Sequence, residues 1–141
     1  MLNSREKHGV IFALLRNGRI RLEKRMEPEG KFFGFTLIPG GAVEGNESMS
    51  DAVIREVREE RGVQVTKAKY LGPIVSTEPN GIRNIRHVWV VTDWKGKLRN
   101  PEHNNRMVTV PLKKARRLCT HPVSQQILMK VFAWSHTYSD Q

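Results

Sequence analysis

The segment that decides the fold is PGGAVEGNESMSDAVIREVREERGVQV, Pro39 to Val65. It opens on a Pro-Gly-Gly break and closes in a β-compatible run, and the helix between them has both ends written in the sequence. Ser48-Met-Ser-Asp51 puts a hydroxyl where it can accept a backbone N–H of the first turn, with an acid near the positive end of the helix dipole. Gly62 supplies the stop, so the pattern predicts a helix from Ser48 to about Arg61. At 100° per residue, Met49, Val53, Ile54 and Val57 share one arc, which is the one to bury, and Glu56, Glu59 and Glu60 span about 100° beside it. Such carboxylates at i, i+3 and i+4 repel by roughly a few tenths of a kcal/mol per pair when exposed, and by more when desolvated. A hard divalent cation would offset that repulsion, because Mg2+ takes oxygen ligands and bridges protein carboxylates to substrate phosphates. A solvated acidic face is the plainer reading of three glutamates taken alone.

The charge around this segment has the opposite sign. Lysine and arginine number 24 against 14 acids, a net +10. Gly41 to Val63 holds six acids and three bases (net −3), so the remainder of the chain sums to +13. A basic frame of that kind attracts nucleotides, polyphosphates or nucleic acid, or serves solubility alone. With 141 residues and 38% hydrophobic content, the composition predicts one domain spanning 1–141. The single Cys119 cannot form an internal disulfide, and zinc-type Cys/His pairs are absent, so a reducing cytoplasm is the expected location. Gly9 to Leu15 is too short to cross a bilayer and reads as strand, so no membrane role is expected.

Outward from the helix, Ile11 to Arg25 shows two β-compatible runs around Asn17-Gly18, the pair that suits a two-residue hairpin turn. Residues 27–31 read as loop, 33–38 as a short strand and 39–41 as a break. VQVTKAKYLGPIV, RHVWVVTDW and MVTVP (107–111) read as strands, with KGKLRNPEHNN as a loop between the last two. From Pro122 to Trp134, apolar residues at Val123, Ile127, Leu128, Val131 and Phe132 have amphipathic helical spacing. Lys113 to Arg117 reads first as a basic helix end and only then as a phosphate or RNA patch, and His87, His103, His121 and His136 show no metal-ligand spacing.

Gly41, five residues, Glu47, seven residues, Arg55-Glu56-Val57, one residue, Glu59-Glu60, one residue, Gly62-Val63: this arrangement resembles the signature of the Nudix hydrolase family at all of its fixed positions. The resemblance implies an α/β fold, an α/β/α sandwich with a mixed sheet and a catalytic loop-helix-loop. It implies metal binding by Glu56, Glu59 and Glu60, with one of the three as the base for the attacking water and the Gly40 carbonyl completing the shell. A side chain at Gly40 is expected to push that ligand away. Arg55 is expected to orient the catalytic carboxylate while paired with Glu47, and Gly41, Glu47 and Gly62 are structural. Lys24 and Arg25 match positions that present cations to substrate phosphates, and Glu102 resembles a distal acid used as an extra ligand or base. Asn46 stands where the family commonly has glycine, and Thr36, with Phe35 beside it, where an aromatic is often found.

The function implied is hydrolysis of a nucleoside diphosphate linked to another moiety, with Mg2+ or Mn2+ as cofactor and a nucleotide as partner. Nucleic acid is the second partner class, and the oligomeric state is left open. Pro79, sixteen residues after Val63, resembles the ADP-ribose branch, while a nucleoside triphosphate fits the chain length equally well. The alternative from another class is a non-catalytic nucleotide or RNA binder on the same fold, which an intact set of glutamates disfavours.

Overall fold

The structure is a computed structural model that describes residues 5–30, 32–101 and 105–139. Asn17 and Gly18 both take positive φ (55° and 71°), the conformation that lets a two-residue turn follow the twist of its strands. That turn joins β1 (Glu6–Arg16) to β2 (Arg19–Lys24). β3 is only Thr36–Leu37, because residues 32–34 form a turn, and the expected 33–38 strand is cut to two residues. The expected break at 39–41 is instead a strand: β4 (Gly40–Ala42) pairs antiparallel with Gly9–Ile11 of β1.

Chain order continues with α1 (Met49–Arg61), β5 (Gln64–Thr77), β6 (Arg83–Lys95), β7 (Arg106–Pro111), α2 (Leu112–Leu118) and α3 (Pro122–Ser139). The strands form one mixed sheet in the order β3-β2-β1-β6-β5, with β4 on β1 and β7 on β2. β1 and β6 run parallel, and every other pairing is antiparallel.

Alternation along β1 divides the apolar residues between two cores. Val10, Phe12 and Leu14 face α1 and pack with Ala52, Val53 and Val57. Ala13 and Leu15 face the other way, with Ile20, Leu22, Val88 and Val90, against Leu112 and Ala115 of α2 and Ile127, Leu128 and Val131 of α3. The mixed sheet is therefore covered by helices on both faces, the α/β/α arrangement expected from the sequence. No helix among the described residues is long and apolar enough to cross a membrane.

Candidate active site

The site grows from the two ends of α1. Ser48 Oγ accepts the Asp51 N–H at 3.1 Å, and Gly62, at φ 72°, closes the helix by donating its N–H to the Arg58 carbonyl. In the loop before the helix the left-handed residue is Gly45 (φ 48°), not Asn46, so the turn needs no special property of the asparagine. Glu47 closes this loop, its carboxylate accepting the Glu44 N–H at 3.1 Å.

Arg55 is the hub. Its Nε and Nη2 donate to the two oxygens of Glu47 at 2.8 and 3.0 Å, the planar fork-to-fork geometry of a strong charge-assisted pair. Nη2 also donates to the Ala42 carbonyl of β4 at 2.9 Å, and Nη1 reaches Glu56 at 3.0 Å and Glu59 at 3.2 Å. One guanidinium thus ties the loop, β4 and two of the three helix carboxylates together. The Glu47 pairing raises the Arg55 pKa, and the Arg55 bond lowers that of Glu47.

Glu56 is 8% exposed, and burial raises its pKa against the opposing pull of Arg55. Room for its carboxylate exists because residue 41 is glycine: a Cβ there would overlap the Glu56 carboxyl group. The clash expected at Gly40 lies elsewhere, since a Cβ at that position would strike the Val10 carbonyl and Ile11 of β1. Gly40 is needed for strand pairing and Gly41 for the carboxylate. The side chain of Glu59 is 59% exposed, and Glu60 lies 3.9 Å from Arg61. Among the described residues no three acids, histidines or cysteines converge as a ready metal cage, because Arg55 holds Glu56 and Glu59 towards itself. The donor set still suits a hard divalent cation: carboxylate oxygens on one helix, one of them buried in a cradle left by a glycine.

Behind α1, Arg61 is 1% exposed and donates to Glu23 of β2 at 2.8 Å. Glu23 also binds Arg25 at 2.9 Å. Neither Glu23 nor Arg61 was predicted as part of the site: Glu23 stands in the polar phase of β2 with Arg19 and Arg21, and only its contact with Arg61 of α1 marks it out. Arg25 lines a cleft of about 180 Å3 with Phe32, Ile38, Gly40, Arg86, His121 and Ser124 among its walls. Its Nε is buried with no hydrogen-bond partner. Lys24 is exposed and does not line that cleft, so the pair expected to act together is separated. Phe32 has φ 66°, rare for a bulky side chain, and meets His121 edge-on at 5.5 Å; Phe35 meets the same ring at 5.6 Å. His121, which has no sequence signal, enters the cleft because it precedes α3. Glu102 lies outside the described residues.

A family model described as the NUDIX domain matches residues 6–131. The CTP pyrophosphohydrolase of Escherichia coli (strain K12) is 34% identical over 95 residues, which cover 67% of this chain and 69% of that enzyme. The 8-oxo-dGTP diphosphatase of Proteus vulgaris is 36% identical over 69 residues, covering 46% of this chain and 57% of that enzyme. Among solved structures, the MutT NUDIX hydrolase from Burkholderia pseudomallei superimposes with a TM-score of 0.76 at 27% identity, covering 89% of this chain and 98% of that one. The E. coli ORF135 protein gives 0.78 at 27% identity, covering 91% and 89%. The chain belongs to the Nudix family and is a hydrolase of phosphoric anhydride bonds. Enzymes of this family generally use divalent metal ions.

Proposed function

We propose that this chain is a nucleoside triphosphate pyrophosphohydrolase that releases a nucleoside monophosphate and pyrophosphate in a reducing cytoplasm, acting as one domain over 1–141. The observation that carries the reading is that Gly40 lines a cleft holding Arg25, Arg86 and an aromatic wall while the next residue, Gly41, lies against Glu56 of the Arg55–Glu56 network. Phosphates fit the cationic side of that cleft, and a base fits against the aromatic wall that Phe32 and His121 form together. The buried, unpartnered Arg25 Nε supports a polar substrate there, since such donors are costly to leave unpaired. The two enzymes named above carry nucleoside triphosphate activities in their names, which supports a triphosphate over ADP-ribose.

Glu56, Glu59 and Glu60, with the Gly40 carbonyl, are the groups to hold Mg2+, and Mn2+ is the natural substitute for the same oxygen donors. The ion, when bound, offsets charge on the phosphates and makes a water more acidic. Glu56 takes the proton of the attacking water, a role suited to a carboxylate whose proton affinity burial has raised. Arg55, anchored on Glu47 and Ala42, holds Glu56 in place. Glu102 is the candidate for a further ligand or base. Cys119 has no part, because it is buried and its thiol is pushed up to about 11.

The test is kcat/KM on a panel of ribo- and deoxyribonucleoside triphosphates, oxidised guanine nucleotides and ADP-ribose, with and without Mg2+. Turnover of a triphosphate that a chelator abolishes is expected. Turnover of ADP-ribose alone would contradict the substrate assignment, and turnover of nothing would favour a binding protein.

A further inference from the structure

The end of the molecule at the β1–β2 turn is crowded with cations that the hydrolytic site does not use. Arg16 and Arg19 are cross-strand partners, and Arg21 follows two residues along β2. The Arg16 guanidinium lies 3.7 Å from the centroid of the Trp94 ring and donates to the Trp94 carbonyl at 3.0 Å. Arg21 lies 5.2 Å from the same ring and donates to the Arg19 carbonyl at 2.9 Å. These partners are all neutral. Among the described residues no carboxylate pairs with Arg16, Arg19 or Arg21. The crowding registers in the Arg21 pKa, lowered by burial and then by Arg16 and Arg19.

α2 begins at the same turn, on the face of the sheet opposite the arginines, so the two sets of cations flank one end of the sheet. The Leu112 N–H donates to the Gly18 carbonyl at 3.0 Å and seats the start of the helix on the turn, leaving Lys113 and Lys114 exposed beside it. This surface stands apart from the cleft: Gly40 pairs with Ile11, and Arg16 lies five residues further on, about 17 Å along the strand. Ring and carbonyl contacts hold two of the guanidiniums in place, so an arriving anion has little side-chain entropy to remove.

Cross-strand neighbours such as Arg16 and Arg19 sit about 5 Å apart at Cβ, and Arg19 and Arg21 about 7 Å apart along the strand. A single small anion would engage part of that row, whereas a chain of phosphates engages all of it. We propose that Arg16, Arg19, Arg21, Lys113 and Lys114 dock the phosphate backbone of a nucleic-acid strand. Trp94 is 7% exposed beneath Arg16, so no base stacks on it and recognition is independent of sequence.

The test is fluorescence anisotropy of a labelled oligouridylate of about 20 nucleotides with the full chain, titrated from about 50 to 200 mM salt. The variant Arg19→Glu/Lys113→Glu/Lys114→Glu changes three exposed residues, and its melting temperature checks folding. It is expected to lose at least about tenfold in affinity, with a salt slope shallower by about 2, while kcat/KM on a nucleoside triphosphate is unchanged. Should that variant fail to fold, Arg19→Gln alone is expected to reduce the slope by about 0.7. Unchanged affinity and slope would overturn the proposal. A parallel fall in kcat/KM would overturn it in favour of steering of the small substrate, and tighter binding to phosphatidylserine vesicles than to RNA would overturn it in favour of a lipid surface.

Discussion

Gly40 and Gly41 stand side by side in β4, yet a methyl group added to each meets a different neighbour. At 40 it strikes backbone, the Val10 carbonyl, which cannot move without breaking the strand pairing; at 41 it strikes the end of the Glu56 side chain, which can. Gly40→Ala is therefore expected to lower the melting temperature, and Gly41→Ala to keep the fold and lose activity by about 100-fold as the carboxylate is displaced. Equal melting temperatures for the two variants would contradict this division. Glu56 itself gives a pH signature. Burial raises its folded pKa above the ordinary 4.5, so its charge opposes folding above that raised value and the opposition vanishes below 4.5. In metal-free protein, Glu56→Gln is expected to melt higher than wild type near about pH 7 and to lose that advantage by about pH 4. Calorimetry at both pH values checks it, and an advantage that is constant with pH would refute it. The motif glutamates were legible because their spacing is chemical; the separate duties of the two glycines were not, because they depend on β1 lying against one and Glu56 against the other.

At the level of elements, α1 is held at its start by Arg55 on Glu47 and Ala42, and at its end by Arg61 on Glu23 of β2. The second anchor is almost fully buried, so removing one partner leaves an uncompensated charge. Glu23→Ala is expected to cost about 3–5 kcal/mol in chemical denaturation, and Glu23→Leu/Arg61→Met to recover most of it. A loss of under about 1 kcal/mol for the single variant would show that the pair contributes little. Helix, hairpin and long strands were readable because caps, Asn-Gly and alternation are local signals. β4 was missed because Pro-Gly-Gly marks a break everywhere except where a neighbouring strand supplies its partner, here Gly9–Ile11. The aromatic wall was missed for the same reason: Phe32 and His121 are about ninety positions apart and meet only when α3 packs on the sheet.

Across the whole molecule, one acidic helix sits in a basic frame, and the fold turns that imbalance into two separated features. Glu56 and Glu59 gather around Arg55, next to the glycine pair that borders the cleft, and a row of unneutralised arginines gathers at the far end of β1. The central claim is that water attacks a phosphorus of a nucleoside triphosphate at the first of these. The most direct measurement is hydrolysis of the preferred triphosphate in 18O-labelled water with Mg2+, followed by mass spectrometry of both products. Label on a phosphorus, with nucleoside monophosphate and pyrophosphate as the products, is the predicted result; nucleoside diphosphate with orthophosphate, or products without label, would contradict it.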